Sequence, residues 1–379
     1  MLRFVLLVRR SLFRFQRRLA IKVAMRGIDN SWVKRILDAF KAANATRTEQ
    51  LTSGEVGSVK RLWGSNCPLN YYRLVKLTRG TVDPHFITDA IWFQKLLPRL
   101  NNFMESVVLE DKSIYGFYFD RFERPYEILR KIRGVFFTND NKVISRAQAV
   151  SLLVSYQDRF IVKKTIDTEQ GRGIRVEEVK AKNDVDALFD LYGDNFVCQE
   201  LIKQSPETAR LNQSSLNCIR VTSLFLNGRF SVLSLSLKVG GKDNVVDNVG
   251  AGGYLVGIQH DGNLCDIGFS SSGRLIQQTY DGVLLKDCKI SSVDRVIAFA
   301  RQLHERMPYL PVIGWDIAIR ENGQPVMIEL NASHPGVLYE QLATGPLFGD
   351  RFDEVMEFVR ANKIFRHNSG APRPDRNRD

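Results

Sequence analysis

The sequence lacks several patterns that identify common classes of protein. Its five cysteines are odd in number and include no C-x-x-C pair. This argues against a disulfide framework or a zinc knuckle and favours reduced thiols in a cytoplasmic protein. Its five histidines form no spaced cluster, and no G-x-x-x-x-G-K-[ST] segment is present. The second absence excludes a P-loop nucleotide site.

Long apolar runs are also missing. The first apolar stretch, Phe4 to Val8, is followed at once by arginines. It is far shorter than a secretory or membrane-spanning segment, so we expect neither. With 379 residues, 44% of them hydrophobic and 25% charged, the sequence predicts a soluble globular protein of two or three domains or lobes.

Positive charge is concentrated at the start of the chain. Of the net charge of +12, +9 falls within residues 1–41. Residues 1–28 predict a basic amphipathic arm, which either packs on the body of the protein or lies on the anionic inner face of a membrane. The arm lacks the interleaved aromatic and basic residues that a base-stacking platform needs, so we do not expect it to bind nucleic acid. The apolar positions of this arm recur at helical spacing: Phe4, Val8, Leu12, Phe15, Leu19 and Val23.

In the rest of the chain, the predicted secondary structure changes from mainly helical to mainly β. Residues 29–110 read as mainly helical, with one helix starting at an Asn30-Ser31 cap and a later helical stretch broken at Pro98. Short apolar β runs dominate from about residue 115, including a hairpin at Asn227-Gly228. Residues 363–379 predict a disordered basic tail.

The segment VIGWDIAIRENGQPVMIELN, residues 312–331, predicts a hairpin with two facing acids. If Asn322-Gly323 forms a two-residue turn, Asp316 and Glu329 are cross-strand partners, and Asn331 lies on the same face. With no basic residue expected on that face, two carboxylates and an amide favour a hard divalent cation such as Mg²⁺. The alternative is a partly exposed hairpin whose acids contact water or a distant arginine.

Other segments could hold a polyphosphate. In FIVKKTIDTEQGRGIRV, Lys163 or Lys164 ends an apolar strand before a loop that contains Gly171 and Gly173. An ordinary hairpin turn explains this segment equally well. Arg220 interrupts an apolar run, so it should meet either a structural carboxylate or a bound anion.

Taken in order, six segments resemble the ATP-grasp superfamily, and in particular its sugar-transfer-associated branch. The resemblance covers roughly residues 105–355 and rests on LEDKSIY, IVKKTIDTEQGRGI, FVCQELI, SSLNCIRVTSL, VVDNVGAGG and IGWDIAI…VMIELNASHPG. It implies an α+β fold of two lobes that clasp ATP, preceded by the helical region. The small lobe with its glycine loop would span 111–200, and the C-terminal lobe with the metal site would span 201–362.

The resemblance also implies roles for individual residues. The magnesium ligands would be Asp316, Glu329 and Asn331, and two ions are expected. Arg220 would contact the transferred phosphoryl group, and Lys238 and Asn248 would line the acceptor site with the Gly252-Gly253 segment. Lys112 would be either a further match or a structural residue. The ATP contacts would be Lys163, Lys164, Gly171, Gly173, the hinge Gln199, Glu200, Leu201 and Ile202, and the ribose ligand Glu207.

The implied reaction is ATP-dependent activation of a carboxylate as an acyl phosphate, which an amine or amino acid attacks to form an amide. The family name points to surface polysaccharide or glycoconjugate synthesis, with a small-molecule or sugar-linked carboxylate. Two alternatives remain. One is a phosphotransferase that acts on a hydroxyl, and the other is a non-catalytic nucleotide-binding subunit of a membrane-associated biosynthetic complex.

Overall fold

The computed structural model describes residues 33–39, 42, 49–166, 173–242, 252–270 and 272–362. The predicted arm and tail lie outside this part of the chain, as do Gly171 and Asn248. Residues 33–39 are helical. The later helices are α1 (Ser53–Trp63), α2 (Asn70–Arg79), α3 (Asp89–Ile91), α4 (Leu97–Leu100), α5 (Phe103–Leu109), α6 (Tyr115–Tyr118), α7 (Arg146–Ser155), α8 (Lys182–Tyr192), α9 (Pro206–Ala209), α10 (Val293–Glu305), α11 (Leu338–Thr344) and α12 (Phe352–Ala361).

The strands are β1 (Glu127–Ile132), β2 (Val135–Phe137), β3 (Val143–Ile144), β4 (Phe160–Lys164), β5 (Arg175–Glu177), β6 (Phe196–Glu200), β7 (Cys218–Leu226), β8 (Arg229–Val239), β9 (Tyr254–Ile258), β10 (Leu264–Ser270), β11 (Leu275–Ile276), β12 (Val312–Ile319) and β13 (Pro325–Asn331). The described residues also contain a π-helix, Trp92–Leu96, and 3₁₀ turns at Lys112–Ile114, Leu285–Asp287 and Gly349–Arg351. No helix among them has the length and apolar character needed to cross a bilayer.

The first lobe is built on a six-stranded antiparallel sheet in the order β3-β2-β1-β6-β4-β5. Phe160, Val162 and Phe196 point to one face and share a core with residues of α7 and α8. Side chains alternate along a strand, so Lys163 and its cross-strand partner Val197 point to the opposite face.

The second lobe is built on a seven-stranded antiparallel sheet in the order β11-β10-β9-β8-β7-β12-β13. One face carries Ile219, Leu237 and Trp315, which share a core with residues of α10. The polar side chains that alternate with them therefore gather on the other face. The Asn227-Gly228 turn between β7 and β8 is confirmed, with both residues at positive φ as a type I′ turn requires.

The β12–β13 hairpin pairs Asp316 with Glu329, but not through the predicted turn. Ile319 pairs with Pro325, so the loop is longer than two residues, and Asn322 does not adopt positive φ. A register shift between Asp316 and Ile317 then offsets the longer loop. The predicted type I′ turn is therefore wrong, although the facing pair that we deduced from it is present.

The helical N-terminal region packs directly on the second lobe. Trp92 and Leu74 share a core with Leu224 and Phe348. The predicted break at Pro98 is wrong. The helical run continues from α3 through the π-helix Trp92–Leu96, in which Leu97 N–H bonds the Trp92 carbonyl, into α4, so the helix passes Pro98 by a local π turn. The chain leaves the helix at Asn101.

Candidate active site

Asp316 lies on the polar face of the large sheet, and two basic side chains contact it. Arg220 is its cross-strand partner on β7. The Arg220 guanidinium donates to the two carboxylate oxygens from Nε at 2.5 Å and from Nη2 at 3.1 Å. Lys238 on β8 donates from Nζ at 2.9 Å. Asp316 is buried, so these two cations compensate a charge that would otherwise be costly.

The electrostatic environment of Asp316 keeps it ionised. Burial alone would raise the pKa of the carboxyl, but the positive charges of Arg220 and Lys238 outweigh burial and hold that pKa well below its usual range. The arrangement also depends on Gly314. A Cβ at this position would lie 3.3 Å from both Cδ and Nη1 of Arg220, so any larger side chain would push the guanidinium aside.

Glu329, the cross-strand partner of Asp316, has its own basic contact. Lys112 donates from Nζ to Glu329 Oε1 at 2.9 Å. Together with Arg220 and Lys238, this places three cations around two carboxylates. The expectation that no basic residue would lie on this face is therefore wrong. The basic residues come from β7, β8 and the 112–114 turn, which a single hairpin sequence does not reveal.

The LEDKSIY segment docks along β13 and the residues that follow it. Glu110 Oε1 accepts hydrogen bonds from the backbone N–H groups of Ala332 and Ser333, both at 2.7 Å. The Tyr115 hydroxyl accepts one from Leu330 N at 3.2 Å. With Lys112 on Glu329, three residues of one short segment fix the strand that carries two of the predicted metal ligands.

The third predicted ligand, Asn331, pairs with Gly314, and its Nδ2 donates to the Gly314 carbonyl at 3.4 Å. Asp316, Glu329 and Asn331 thus form an all-oxygen donor set on one face of a hairpin, which fits Mg²⁺. Within the described residues, no three His, Cys, Asp or Glu side chains gather as a metal site. Binding of Mg²⁺ would therefore need the Asn331 amide oxygen as a third ligand. It would also need Asp316 to release Arg220 or Lys238.

Most of the chain matches one known family. The model of the family described as sugar-transfer-associated ATP-grasp matches residues 93–356. The chain belongs to this family. The match spans both sheets and the Asp316–Glu329 hairpin, and the ATP-grasp fold expected from the sequence is confirmed.

Solved structures similar to this ATP-grasp protein are distant from it in sequence. A biotin carboxylase–β,γ-ATP complex from Campylobacter jejuni is 13% identical, with a TM-score of 0.41 and coverage of 69% of this chain and 48% of that chain. An ADP complex of N5-carboxyaminoimidazole synthetase from Staphylococcus aureus is 9% identical, with a TM-score of 0.40 and coverage of 68% and 52%. The chain thus spans about half the length of these proteins.

D-alanyl-alanine synthetase A from Vibrio cholerae is 10% identical, with a TM-score of 0.39 and coverage of 67% of this chain and 64% of that chain. Likenesses at these identities concern the fold alone. A search of curated proteins finds no match to the sequence.

The two adjacent lysines of the ATP-grasp small lobe are clearly distinguished by the structure. Lys163 is buried, on the face of the sheet opposite the small-lobe core, whereas Lys164 is exposed. The Lys164 side chain passes beside Gly173, where a Cβ would lie 3.6 Å from Lys164 Cγ. Of the two predicted phosphate ligands, Lys163 therefore has the inward position.

The predicted adenine hinge begins with the last two residues of β6 and is held against the second lobe. Glu200 Oε1 accepts a hydrogen bond from Tyr126 N at 2.8 Å. The same oxygen forms an ion pair with Arg320 Nη2 at 2.6 Å. Gln199 is buried, and Ile202 packs on a small apolar cluster with Cys218 and Ala318. Leu201 is half-buried. The hinge role of these residues stays a prediction.

Glu207, the predicted ribose ligand, lies on α9. Its carboxylate accepts hydrogen bonds from Ser291 N at 2.7 Å and from the Ser292 hydroxyl. Contact with a ribose would therefore require Glu207 to exchange or share these partners, and its role also stays a prediction.

Glu340 on α11 is a residue that sequence reasoning missed. It is buried, and within the described part of the chain its Oε2 has no hydrogen-bond partner. Burial raises the pKa of the Glu340 carboxyl to about 7, opposed in part by the nearby charge of Arg220. Nothing in the local sequence VLYEQLAT distinguishes this glutamate from one on a solvated helix, since its environment comes from strands far away in the chain.

Proposed function

We propose that this protein is an ATP-dependent ligase that activates a carboxylate as an acyl phosphate and joins it to an amine. The observation that carries the proposal is the cluster around Asp316. It combines an all-oxygen donor set with three basic side chains, Lys112, Arg220 and Lys238, on one face of the large sheet. Such a cluster suits a ligand that brings both negative charge and a metal, as a nucleoside triphosphate does.

Asp316, Glu329 and Asn331 would hold Mg²⁺, which neutralises the charge of the polyphosphate when it is bound. Formation of the metal-bound state would require Asp316 to release Arg220 or Lys238. A guanidinium freed in this way suits a phosphoryl oxygen, because its planar donors match that geometry. Arg220 would then stabilise the charge that develops during phosphoryl transfer.

The remaining roles follow from the same assignment. Lys163 would bind phosphate, with Lys164 beside the glycine loop of Gly171 and Gly173. The adenine would lie against the hinge, Gln199 to Ile202, and Glu207 would bind the ribose. Lys238 and Asn248 would line the acceptor site. Two facts support this distribution: the buried, inward position of Lys163 and the contact of Lys238 with Asp316.

The carboxylate is proposed to be a small-molecule or sugar-linked acid used in surface polysaccharide or glycoconjugate synthesis, which agrees with the family description. The amine would be an amino acid or another primary amine. In this proposal the protein works in the cytoplasm, and its basic arm rests on the inner membrane face. If deletion of residues 1–26 leaves membrane fractionation unchanged, the arm does not serve this purpose.

A screen of ADP release tests the ligase proposal. Purified protein, ATP and Mg²⁺ are combined with carboxylates crossed with amines, and Asp316→Asn serves as the inactive control. ADP release that needs both a carboxylate and an amine is the expected result. Release that needs only a hydroxyl acceptor would indicate a phosphotransferase. ATP binding without turnover on any pair would indicate a non-catalytic subunit.

A further inference from the structure

The interface between α11 and the large sheet contains polar groups where apolar side chains are usual. Thr222 and Ser234 are cross-strand partners on the polar face of the sheet, and Ser236 is the partner of Arg220. All three are buried, and none of their hydroxyls has a hydrogen-bond partner among the residues that the structure describes. Buried polar groups without partners are costly, so this layer is poorly explained by packing alone.

Helix α11 lies over this polar layer at very short distance. A Cβ on Gly257, the partner of Ser236 on β9, would come within 2.5 Å of Ala343 Cβ. Glu340 is three residues before Ala343 and therefore lies on the same side of the helix, toward the sheet. Its carboxyl interacts electrostatically with Arg220, Asp316 and Lys238. Glu340 thus adds to the edge of the Asp316 cluster a carboxyl whose Oε2 has no partner in the described ranges.

We propose that Glu340 is a catalytic residue that binds the ammonium group of the amine substrate and takes a proton from it. The proposal rests on the proposed ligase function. An ammonium group has three N–H donors. The Glu340 carboxylate and the hydroxyl oxygens of Ser236 and Thr222 can accept hydrogen bonds from them. The Glu340 carboxyl is close enough to interact electrostatically with Arg220, the predicted phosphoryl contact, and in this proposal the amine arrives between them.

The charges around Glu340 also favour deprotonation of the ammonium group. An ammonium ion cannot attack an acyl phosphate until it loses a proton. Arg220 and Lys238 disfavour a third positive charge nearby, which promotes the neutral amine, while the Glu340 carboxylate receives the proton. Asp316 and Glu329, two acids of the same face, both already have basic partners.

Proton transfer from the ammonium group precedes formation of the amide bond. The ammonium transfers one proton to the Glu340 carboxylate, and the resulting lone pair forms a C–N bond to the acyl carbon. The C–O bond to phosphate breaks, and phosphate leaves with the electron pair. The second nitrogen proton passes to solvent, and Glu340 later returns its own proton to solvent.

The test compares two nucleophiles on wild type and Glu340→Gln, with ATP, Mg²⁺ and a panel of carboxylates. Hydroxylamine is weakly basic and attacks an acyl phosphate without prior deprotonation, giving a hydroxamate. Proteinogenic amino acids and glucosamine carry ammonium groups that must be deprotonated. We expect E340Q to form hydroxamate at close to the wild-type rate and to lose amide formation by about 100-fold or more.

The controls separate three outcomes. Glu357→Gln removes an exposed glutamate of α12 and should leave both products unchanged. Equal losses of hydroxamate and amide in E340Q, or no loss of either, would overturn the role of Glu340 while leaving the ligase function intact. Absence of hydroxamate from wild type with every carboxylate would overturn the ligase function and the role of Glu340 with it.

A second variant protects the test against a folding defect. Glu340→Asp keeps a carboxylate and shortens the side chain by one methylene. If E340Q does not fold, we expect Glu340→Asp to lose amide formation more than hydroxamate formation. A parallel loss of the two products in Glu340→Asp would contradict the proposal.

Discussion

Asp316 on β12 and Arg220 on β7 are direct cross-strand partners, and the Arg220 guanidinium binds both carboxylate oxygens of Asp316. The pair lies on two neighbouring inner strands of the large sheet, close to its β13 edge, and Lys238 joins it from β8. A residue predicted as a metal ligand and two residues predicted as phosphate or acceptor contacts therefore hold each other in place. Binding of nucleotide and metal would exchange these contacts for new ones.

Asp316→Asn should destabilise the protein as well as inactivate it. Removal of one partner from a buried ion pair costs about 3–5 kcal/mol, because the remaining cations lose their counter-charge. Since the pKa of Asp316 lies well below its usual range, the stabilisation is present above the ordinary aspartate pKa and is lost as the pH falls through the lowered value. Urea unfolding at pH 7 measures the difference. An unchanged midpoint and slope would mean that the ion pair contributes nothing net.

Lys163→Met should weaken nucleotide binding much more than Lys164→Met. Lys163 is buried on the inward face of β4, whereas Lys164 is exposed. We expect at least about a tenfold rise in the Kd for ATP–Mg²⁺ in the first variant, equal to about 1.4 kcal/mol, and little change in the second. Isothermal titration calorimetry on the two adjacent variants gives a matched comparison. Equal effects would show that the inward position has no bearing on binding.

Glu110→Ala should loosen the segment that follows β13. The Glu110 carboxylate accepts from the buried backbone N–H groups of Ala332 and Ser333, and an unsatisfied buried donor costs about 1–3 kcal/mol. We expect a fall in unfolding free energy of about 2 kcal/mol. Because Asn331 is the next residue, Mg²⁺-dependent ATP binding should weaken too. Glu105→Ala is the control: it removes an exposed glutamate of α5 that accepts from the Asn102 side chain, so it should lower the unfolding free energy less than Glu110→Ala and leave ATP binding unchanged.

Glu340→Gln should make the protein more stable at pH 8. The pKa of Glu340 is raised to about 7 in the folded state, so ionisation favours the unfolded chain as the pH rises from the ordinary glutamate pKa to about 7. The penalty is on the order of 3 kcal/mol above that window, and it is absent below it. Denaturant unfolding of both proteins at pH 4 and pH 8 measures it. A variant that is less stable than wild type at pH 8 would contradict the buried, high-pKa carboxyl.

Part of the site could be predicted from local sequence. The facing of Asp316 and Glu329 was deduced from one turn, and the structure contains that pair. The pairing is correct only because two differences from the predicted hairpin cancel: the loop is longer, and a register shift offsets it. Neither difference can be predicted from the local sequence. By contrast, Asn227-Gly228 has positive φ at both positions, and there the turn chemistry alone was sufficient.

The rest of the site depends on contacts between distant segments. Arg220 is far from Asp316 in sequence, and the two meet because β7 lies beside β12 in the sheet order. Lys112 reaches Glu329 from a turn in a different region of the chain. Glu340 acquires its environment from β7, β8 and β12 together. Periodicity and turn signals describe only neighbours along the chain, so they do not reveal such contacts.

The most direct measurement follows an oxygen atom through the reaction. A carboxylate identified by the ADP-release screen is labelled with ¹⁸O in both oxygens and incubated with ATP, Mg²⁺, the amine and the wild-type protein, and the released phosphate is analysed by mass spectrometry. The ligase proposal predicts one ¹⁸O atom in the phosphate, because the carboxylate oxygen attacks the γ-phosphorus and leaves with it, and no labelled phosphate with Asp316→Asn. Amide formation with unlabelled phosphate would contradict the acyl-phosphate route.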